Sequence, residues 1–266
     1  MSPLTVATPR VSVLMAAYNA ESSVGSAVDS IQRQTFTDWE LIVVDDGSWD
    51  GTLAILKEAA SGDPRIRVLV HETNSGLPTS LNDALTASRG SLIARMDADD
   101  RALPERLALQ VEFMDANQEV DILGGGALTM TEDGTPMGEL RPREIHEELA
   151  PRIFRENPFI HPTVMARRAV LEQLRGYDTT LRRGQDYDLW LRAYRNYRLH
   201  NLQQPLIWYA QRPPRWRDAW FSSVVVARAL KREGCFWRAP WLTARPHVAT
   251  AWSQLRNLSS RGRHAT

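Results

Sequence analysis

Over its first 125 residues the chain alternates short β-branched apolar runs with longer stretches in which apolar residues recur every three or four positions. Residues 11–15, 41–44, 66–70 and 92–94 read as strands. Between them, residues 22–32, 52–60, 77–87 and 104–116 carry helical spacing. Alternation of this kind predicts a mostly parallel sheet covered by helices on both faces, a Rossmann-like half of an α/β protein.

The pattern changes after Gly124-Gly125-Gly126. A strand over 127–131, a turn at Glu132-Asp133-Gly134-Thr135 and a helix over 143–154 are predicted. Beyond them the pattern predicts a strand over 161–166, a short helix over 168–174 and a helix over 186–194 opened by Gly184-Gln185. The expected organisation is therefore one catalytic-sized unit over 1–204, with halves at about 10–125 and 126–204, and a helical extension over 205–266. Neither internal repeats nor low-complexity tracts interrupt it.

A length of 266 residues suits one large or two small domains, and 43% hydrophobic with 24% charged residues is ordinary for a globular protein. The single cysteine, Cys235, excludes an internal disulfide and a CxxC metal site, so any metal should be oxygen-bound. No apolar run approaches the roughly 18 residues of a spanning helix, and the first residues lack a signal-peptide pattern, so a cytoplasmic protein is expected. Zero net charge hides an asymmetry: residues 205–266 hold 11 Lys and Arg against 2 acidic residues, leaving 21 against 30 before them.

Acidic residues gather where strands should end. Asp45-Asp46-Gly47-Ser48 follows the second strand, and Asp97-Ala98-Asp99-Asp100 follows the fourth. In open α/β sheets ligands bind beyond the carboxyl ends of the strands. Carboxylates concentrated there call for a hard divalent cation, and Mg²⁺ is commonly held by one or two carboxylates together with substrate phosphates, which points to a diphosphate ligand. Ala16-Ala17-Tyr18-Asn19-Ala20 stands after the first strand in place of GxGxxG, which argues against hydride transfer on a dinucleotide.

The ordered set of segments extends further: Val13-Leu14-Met15-Ala16-Ala17-Tyr18-Asn19, Val43-Val44-Asp45-Asp46-Gly47-Ser48, Asn74-Ser75-Gly76-Leu77, Ala94-Arg95-Met96-Asp97-Ala98-Asp99-Asp100 with Pro104, and Gly184-Gln185-Asp186-Tyr187-Asp188-Leu189-Trp190. With these the chain, from about Arg10 to Arg192, resembles the family 2 glycosyltransferases, inverting enzymes of the GT-A fold that use nucleotide-diphosphate sugars. The resemblance implies a nucleotide-sugar site of Ala16, Tyr18, Asn19, Asp45, Asp46, Asn82 and Asp97. In it the Tyr18 ring packs on uracil, Asp46 accepts the uracil N–H, and Asp45 and Asn82 lie nearby. Asp97 would sit near the ribose and Asp99 would ligate Mn²⁺ or Mg²⁺ on the diphosphate. Asp186 would be the general base, and His161 would contact diphosphate or acceptor.

Two positions depart from the family pattern. Gln185 stands where Glu commonly precedes the base, and Ser80 stands near a position where some members carry Arg. The resemblance implies a UDP-sugar donor, with N-acetylglucosamine among the sugars, and a glycan or lipid-linked glycan acceptor in surface polysaccharide assembly. A sugar nucleotidyltransferase and a catalytically silent nucleotide-sugar-binding subunit are the alternatives; Gln185 admits the latter.

The region 205–266 lies outside the resemblance. It carries Trp208, Trp216, Trp220, Trp237, Trp241 and Trp252 among arginines that include Arg215, Arg217, Arg238, Arg245 and Arg256. Such a segment suits peripheral contact with an anionic membrane at its inner face, or packing on the catalytic unit. An acidic first part and the lack of a nucleic-acid module argue against nucleic acid.

Overall fold

The computed structural model describes residues 8–131, 133–210 and 216–235, with side chains of 216–219 outside the description. The first half runs β1 (Val11–Ala17), α1 (Val24–Gln32), β2 (Trp39–Asp45), α2 (Thr52–Gly62), β3 (Ile66–Val70), α3 (Leu77–Ala87), β4 (Leu92–Asp97), β5 (Arg101–Ala102) and α4 (Arg106–Ala116). The second half runs β6 (Ile122–Met130), β7 (Pro136–Leu140), α5 (His146–Leu149), β8 (Met165–Arg167), α6 (Arg168–Gln173), α7 (Gln185–Ala193), β9 (Leu199–Ala210) and α8 (Trp216–Arg232). One nine-stranded sheet holds both halves, in the order β3-β2-β1-β4-β8-β6-β9-β5, with β7 on β6. Pairings β1–β2, β1–β4, β2–β3 and β6–β9 are parallel, while β5, β7 and β8 pair antiparallel.

The four predicted strands of the first half are all present: β1, β2 and β4 are buried on both faces, while β3 forms the more exposed edge. Along β1, Val13 and Met15 face one core cluster with Val28, Ile31, Leu56 and Leu107, while Leu14 faces the other with Leu81 and Leu85. The chain steps from β1 to β2 to β3 in one direction, then returns to lay β4 on the opposite side of β1. That reversal opens a crevice between the carboxyl ends of β1 and β4, the place where such sheets bind ligands. Glu40, buried within β2, is satisfied by the Ser12 hydroxyl at 2.7 Å and by Arg89 at 2.8 Å.

Four expectations need correction in the second half. Strand β6 begins at Ile122 and runs through the three glycines, because a Cβ at Gly124 would collide with Asn201 and Phe159 and one at Gly125 with Leu206. The helix expected over 143–154 is only α5 and a 3₁₀ turn at Ala150–Arg152, since Pro151 removes an N–H donor and fixes φ. The strand expected over 161–166 starts as a 3₁₀ turn at His161–Thr163 around Pro162 and becomes β8 at Met165. The boundary at 204/205 falls inside β9, whose Leu206 and Ile207 are fully buried, so 205–210 belong to the sheet.

Helix α8 is helical as expected and buries Val225, Val226, Ala229 and Leu230, spaced as one helical stripe, in the second cluster. It lies along α7. Asp188, 2% exposed, accepts from Arg192 at 2.8 Å and from Arg232 at 3.0 Å. Glu233 accepts from the Tyr194 hydroxyl at 2.6 Å and from Arg195 at 2.7 Å. The described part of the arginine-rich extension therefore packs on the rest of the fold, although Trp220 stays 55% exposed. Trp237, Trp241, Trp252, Arg215, Arg238, Arg245 and Arg256 lie outside the described residues, as do the side chains of Trp216 and Arg217. No described helix is long and apolar enough to cross a membrane.

Asp188 is the buried acceptor shared by two part-exposed arginines, and Glu233 a part-buried acceptor whose arginine is exposed. Asp188→Ala should therefore cost more than Glu233→Ala in urea unfolding, by about 1–2 kcal/mol.

Candidate active site

The crevice is a cleft of about 430 Å³ bounded by Ala16, Tyr18 and Asn19 after β1 and by Asp97, Asp99 and Asp100 after β4, with Met130 and Ala210 at the ends of β6 and β9. Asn19 adopts a left-handed conformation, φ 49°, which lets its N–H reach the Ser48 hydroxyl at 3.0 Å and its side-chain oxygen accept from the Trp49 N–H at 3.1 Å. The β1 and β2 loops are thus stitched together. The Tyr18 ring is left 47% exposed at the rim, a free aromatic face.

Asp46 and Asp45 differ in how far their carboxylates are already engaged. Asp46 is 3% exposed and its carboxylate accepts from His71 Nδ1 at 2.7 Å, the Ser75 N–H at 2.9 Å and the Gly76 N–H at 2.8 Å. Burial alone would raise its pKa, but these donors outweigh it and hold the carboxyl below its usual range. It serves as a remote anionic cap for α3, whose own N-cap residue, Gly76, offers no side chain. Asp45 is 1% exposed, and its Oδ1 has no partner among the described residues. A buried acceptor left unpaired is costly, and this one sits at the carboxyl end of β2. Asn82 Nδ2 donates to the Tyr177 C=O at 2.9 Å and its Oδ1 accepts the Tyr177 N–H at 2.8 Å, so its amide clamps the segment before α7.

Carboxylate oxygens of Asp97, Asp99 and Asp100 lie within 4.8 Å of one another. Asp97 is ion-paired with Arg95, whose side chain is 5% exposed and whose Nε and Nη1 find no hydrogen-bond partner among the described residues. Asp100, 1% exposed, accepts the Ala210 N–H on Oδ1 at 2.8 Å, while Oδ2 is unpartnered among the described residues. Burial and the neighbouring Asp97 push the Asp100 carboxyl up to about 8. Arg106 lies beneath, fully buried, donating to the Arg95 C=O at 2.6 Å; burial and the neighbouring Arg95 push its guanidinium down to about 9. An orphaned buried carboxylate oxygen within a set of oxygen donors fits a hard divalent cation.

Asp186 sits in the first turn of α7, after Gly184 in the left-handed region at φ 71°. It is half-buried, and Asn157 Nδ2 donates to its Oδ2 at 2.8 Å. Burial pushes its carboxyl up, against the Asn157 hydrogen bond and the Arg95 charge. Arg95 thus acts electrostatically on both Asp186 and the cluster. His161 Nε2 is 2.9 Å from the Tyr177 hydroxyl and its ring packs edge-on to Trp190; burial holds its pKa well below the usual value, so the imidazole is neutral. Gln185 is 7% exposed. Arg95, Asp100, Asn157 and Tyr177 are site features that sequence reasoning missed. The first two lie inside a quoted motif, whereas Asn157 and Tyr177 carry no local signal.

Residues 12–175 match the family model described as Glycosyl transferase family 2. The chain belongs to glycosyl transferase family 2. Among curated relatives of this glycosyltransferase, the putative glycosyltransferase EpsE of Bacillus subtilis is 38% identical over 202 residues, covering 74% of this chain and 72% of that protein. The O-antigen biosynthesis glycosyltransferase WbnJ of Escherichia coli is 35% identical over 203 residues, covering 75% and 78%. Among solved structures, S. aureus TarS 1-349 in complex with UDP superposes with a TM-score of 0.66 at 24% identity, covering 83% of this chain and 65% of that one. The mannosyltransferase PcManGT of Pyrobaculum calidifontis, in complex with GDP-Man and Mn2+, gives 0.64 at 20% identity, covering 97% and 81%. The fold of the family 2 glycosyltransferase is thereby the GT-A fold.

A titration of Mn²⁺ followed by electron paramagnetic resonance should show the cluster's affinity falling by at least about tenfold in Asp99→Ala.

Proposed function

We propose that the chain is an inverting glycosyltransferase that moves a sugar from a UDP-sugar to a hydroxyl of a glycan or lipid-linked glycan in surface polysaccharide assembly. The observation that carries the reading is the carboxylate cluster at the β1–β4 switch point, beside the exposed ring of Tyr18. The O-antigen relative supports the polysaccharide role, and the UDP complex of TarS supports the nucleotide.

In this reading the base stacks on Tyr18, and the unpaired Oδ1 of Asp45, rather than the thrice-bonded Asp46, accepts the uracil N–H. Asp99 and Asp100 hold Mn²⁺ or Mg²⁺ with Asp97 alongside, and the ion when bound supplies Lewis-acid neutralisation of charge on the departing UDP. Arg95 fixes Asp97 from below. Asp186 takes the proton of the acceptor hydroxyl while that oxygen bonds to the anomeric carbon. The bond from that carbon to the UDP oxygen breaks on the opposite face, which inverts the configuration. Asn157 holds the Asp186 carboxylate in place for that transfer. His161 braces Tyr177 as a neutral donor or acceptor. Work at the cytoplasmic face of a membrane completes the proposal, supported by the basic, tryptophan-rich sequence after Cys235.

The deciding experiment is UDP release from a panel of UDP-sugars with Mn²⁺ and candidate acceptors. Wild type should release UDP. Asp186→Asn should lose about 10² to 10⁴ in kcat, and Asp99→Ala should lose metal dependence along with rate. Asp45→Asn should weaken UDP binding, since the amide presents an N–H or a weaker acceptor to the base. UDP binding without release from any sugar would overturn the enzyme reading in favour of a silent subunit. Because the base must be ionised and burial raises its pKa, kcat/KM should fall on acidification with a midpoint above the ordinary Asp value of about 3.8.

A further inference from the structure

The loops after β7 enclose a second cleft of about 460 Å³, lined among others by Arg141, Arg143, Glu148, Glu156, Asn157 and Gln203. It shares Asn157 with the base. The amide that lines this cleft is the one that donates to Asp186 at 2.8 Å. A molecule seated in the cleft with a hydroxyl reaching past Asn157 therefore arrives at the carboxylate that must deprotonate it.

The charges in the cleft decide what such a molecule can be. Arg141 is held by Glu139 through two hydrogen bonds, at 2.8 Å and 3.0 Å, and Arg143 is paired with Glu156 at 3.0 Å. Both guanidiniums are thus engaged. Glu148 is exposed, and its carboxylate has no hydrogen-bond or ion-pair partner among the described residues. Glu144 stands 3.8 Å from His200, whose burial lowers the imidazole pKa and favours its neutral form. Gln203 commits its Nε2 to the C=O groups of Pro142 and Asn201, each at 3.3 Å, which leaves its side-chain oxygen as an acceptor. The floor, Leu149 and Pro158, is buried. What the cleft offers is carboxylate and amide acceptors without a free cation among its described lining.

We propose that this cleft is the acceptor subsite and that it selects a neutral, polyhydroxylated sugar, whose hydroxyls donate to Glu148 and Gln203, over an acidic sugar or a phosphate. The inference rests on the transferase reading above. Hydroxyl donors gain charge-assisted hydrogen bonds to a carboxylate, whereas a uronate or phosphate brought to the same place meets like charge with no guanidinium released to receive it. Rejection by repulsion is as much a source of specificity as attraction.

The test uses the full chain with whichever UDP-sugar is active in the release assay, and aryl hexosides or the matching aryl hexuronides as acceptors. Neutral hexosides should accept the sugar with kcat/KM at least about tenfold above the hexuronides, the size of one hydrogen bond to a charged group. Glu148→Ala should raise the hexoside KM by about tenfold, and Glu148→Lys should reverse the preference toward the hexuronide. Thermal midpoints of both variants, altered only at an exposed position, report that they are folded. Equal use of the two acceptor classes, or an unchanged hexoside KM in Glu148→Ala, would overturn the subsite while leaving the transferase reading intact. Failure to release UDP from every donor would overturn both.

Discussion

Carboxylates crowded at the end of one buried strand repel one another more strongly than solvent can screen, and the molecule is arranged to answer that repulsion. Asp97, Asp99 and Asp100 crowd together at the end of β4. Arg95 answers from within the strand itself, Arg106 answers from α4 beneath, and the Ala210 N–H answers from β9. Arg95 and Arg106 come from the first half and the Ala210 N–H from the second, so the full set of partners is in place only when both halves of the sheet are assembled. Among the described residues one buried carboxylate oxygen, Asp100 Oδ2, is left unanswered, a demand that a divalent ion would meet. Folding and ligand binding therefore draw on the same local electrostatics.

Much of the first half was legible because strands buried on both faces write themselves as apolar runs. β3 and α3 occur with the expected bounds, β1 and β4 lengthen at their carboxyl ends, and β2 lengthens at both ends, mostly at its amino end. The second half was harder to read for local reasons. Three glycines looked like an interruption, yet they let β6 approach β9 and Phe159 closely. Pro151 and Pro162 cut short a helix and a strand whose apolar spacing continued past them. The motif carboxylates were visible in the sequence, but which of Asp45 and Asp46 is tied up by hydrogen bonds was not. It depends on which of two adjacent side chains meets the Ser75 and Gly76 amides about thirty residues away, at separations of 29 and 30. Asn82 and Tyr177 meet across 95 residues, and Asn157 and Asp186 across 29, contacts that no local pattern announces.

The family model ends at residue 175, before the helix that carries Asp186. Helix α7, beyond that limit, carries the proposed base, and α8 braces it. Arg232 on α8 and Arg192 on α7 share Asp188, two positions beyond the proposed base. Val225 packs against Gly184, whose left-handed backbone begins α7; a Cβ there would come within 3.0 Å of the valine methyl. The arginine-rich composition of the C-terminal region is thus partly explained by internal pairing of charge, Arg232 with Asp188 and Arg228 with Asp178.

The last described strand and the last described helix each close on a buried carboxylate. Ala210, at the end of β9, donates its N–H to Asp100, and Arg232, at the end of α8, pairs with Asp188. Both closures are made by residues beyond the family match, so two buried acids at separate places in the fold depend on chain that the family's motifs do not include.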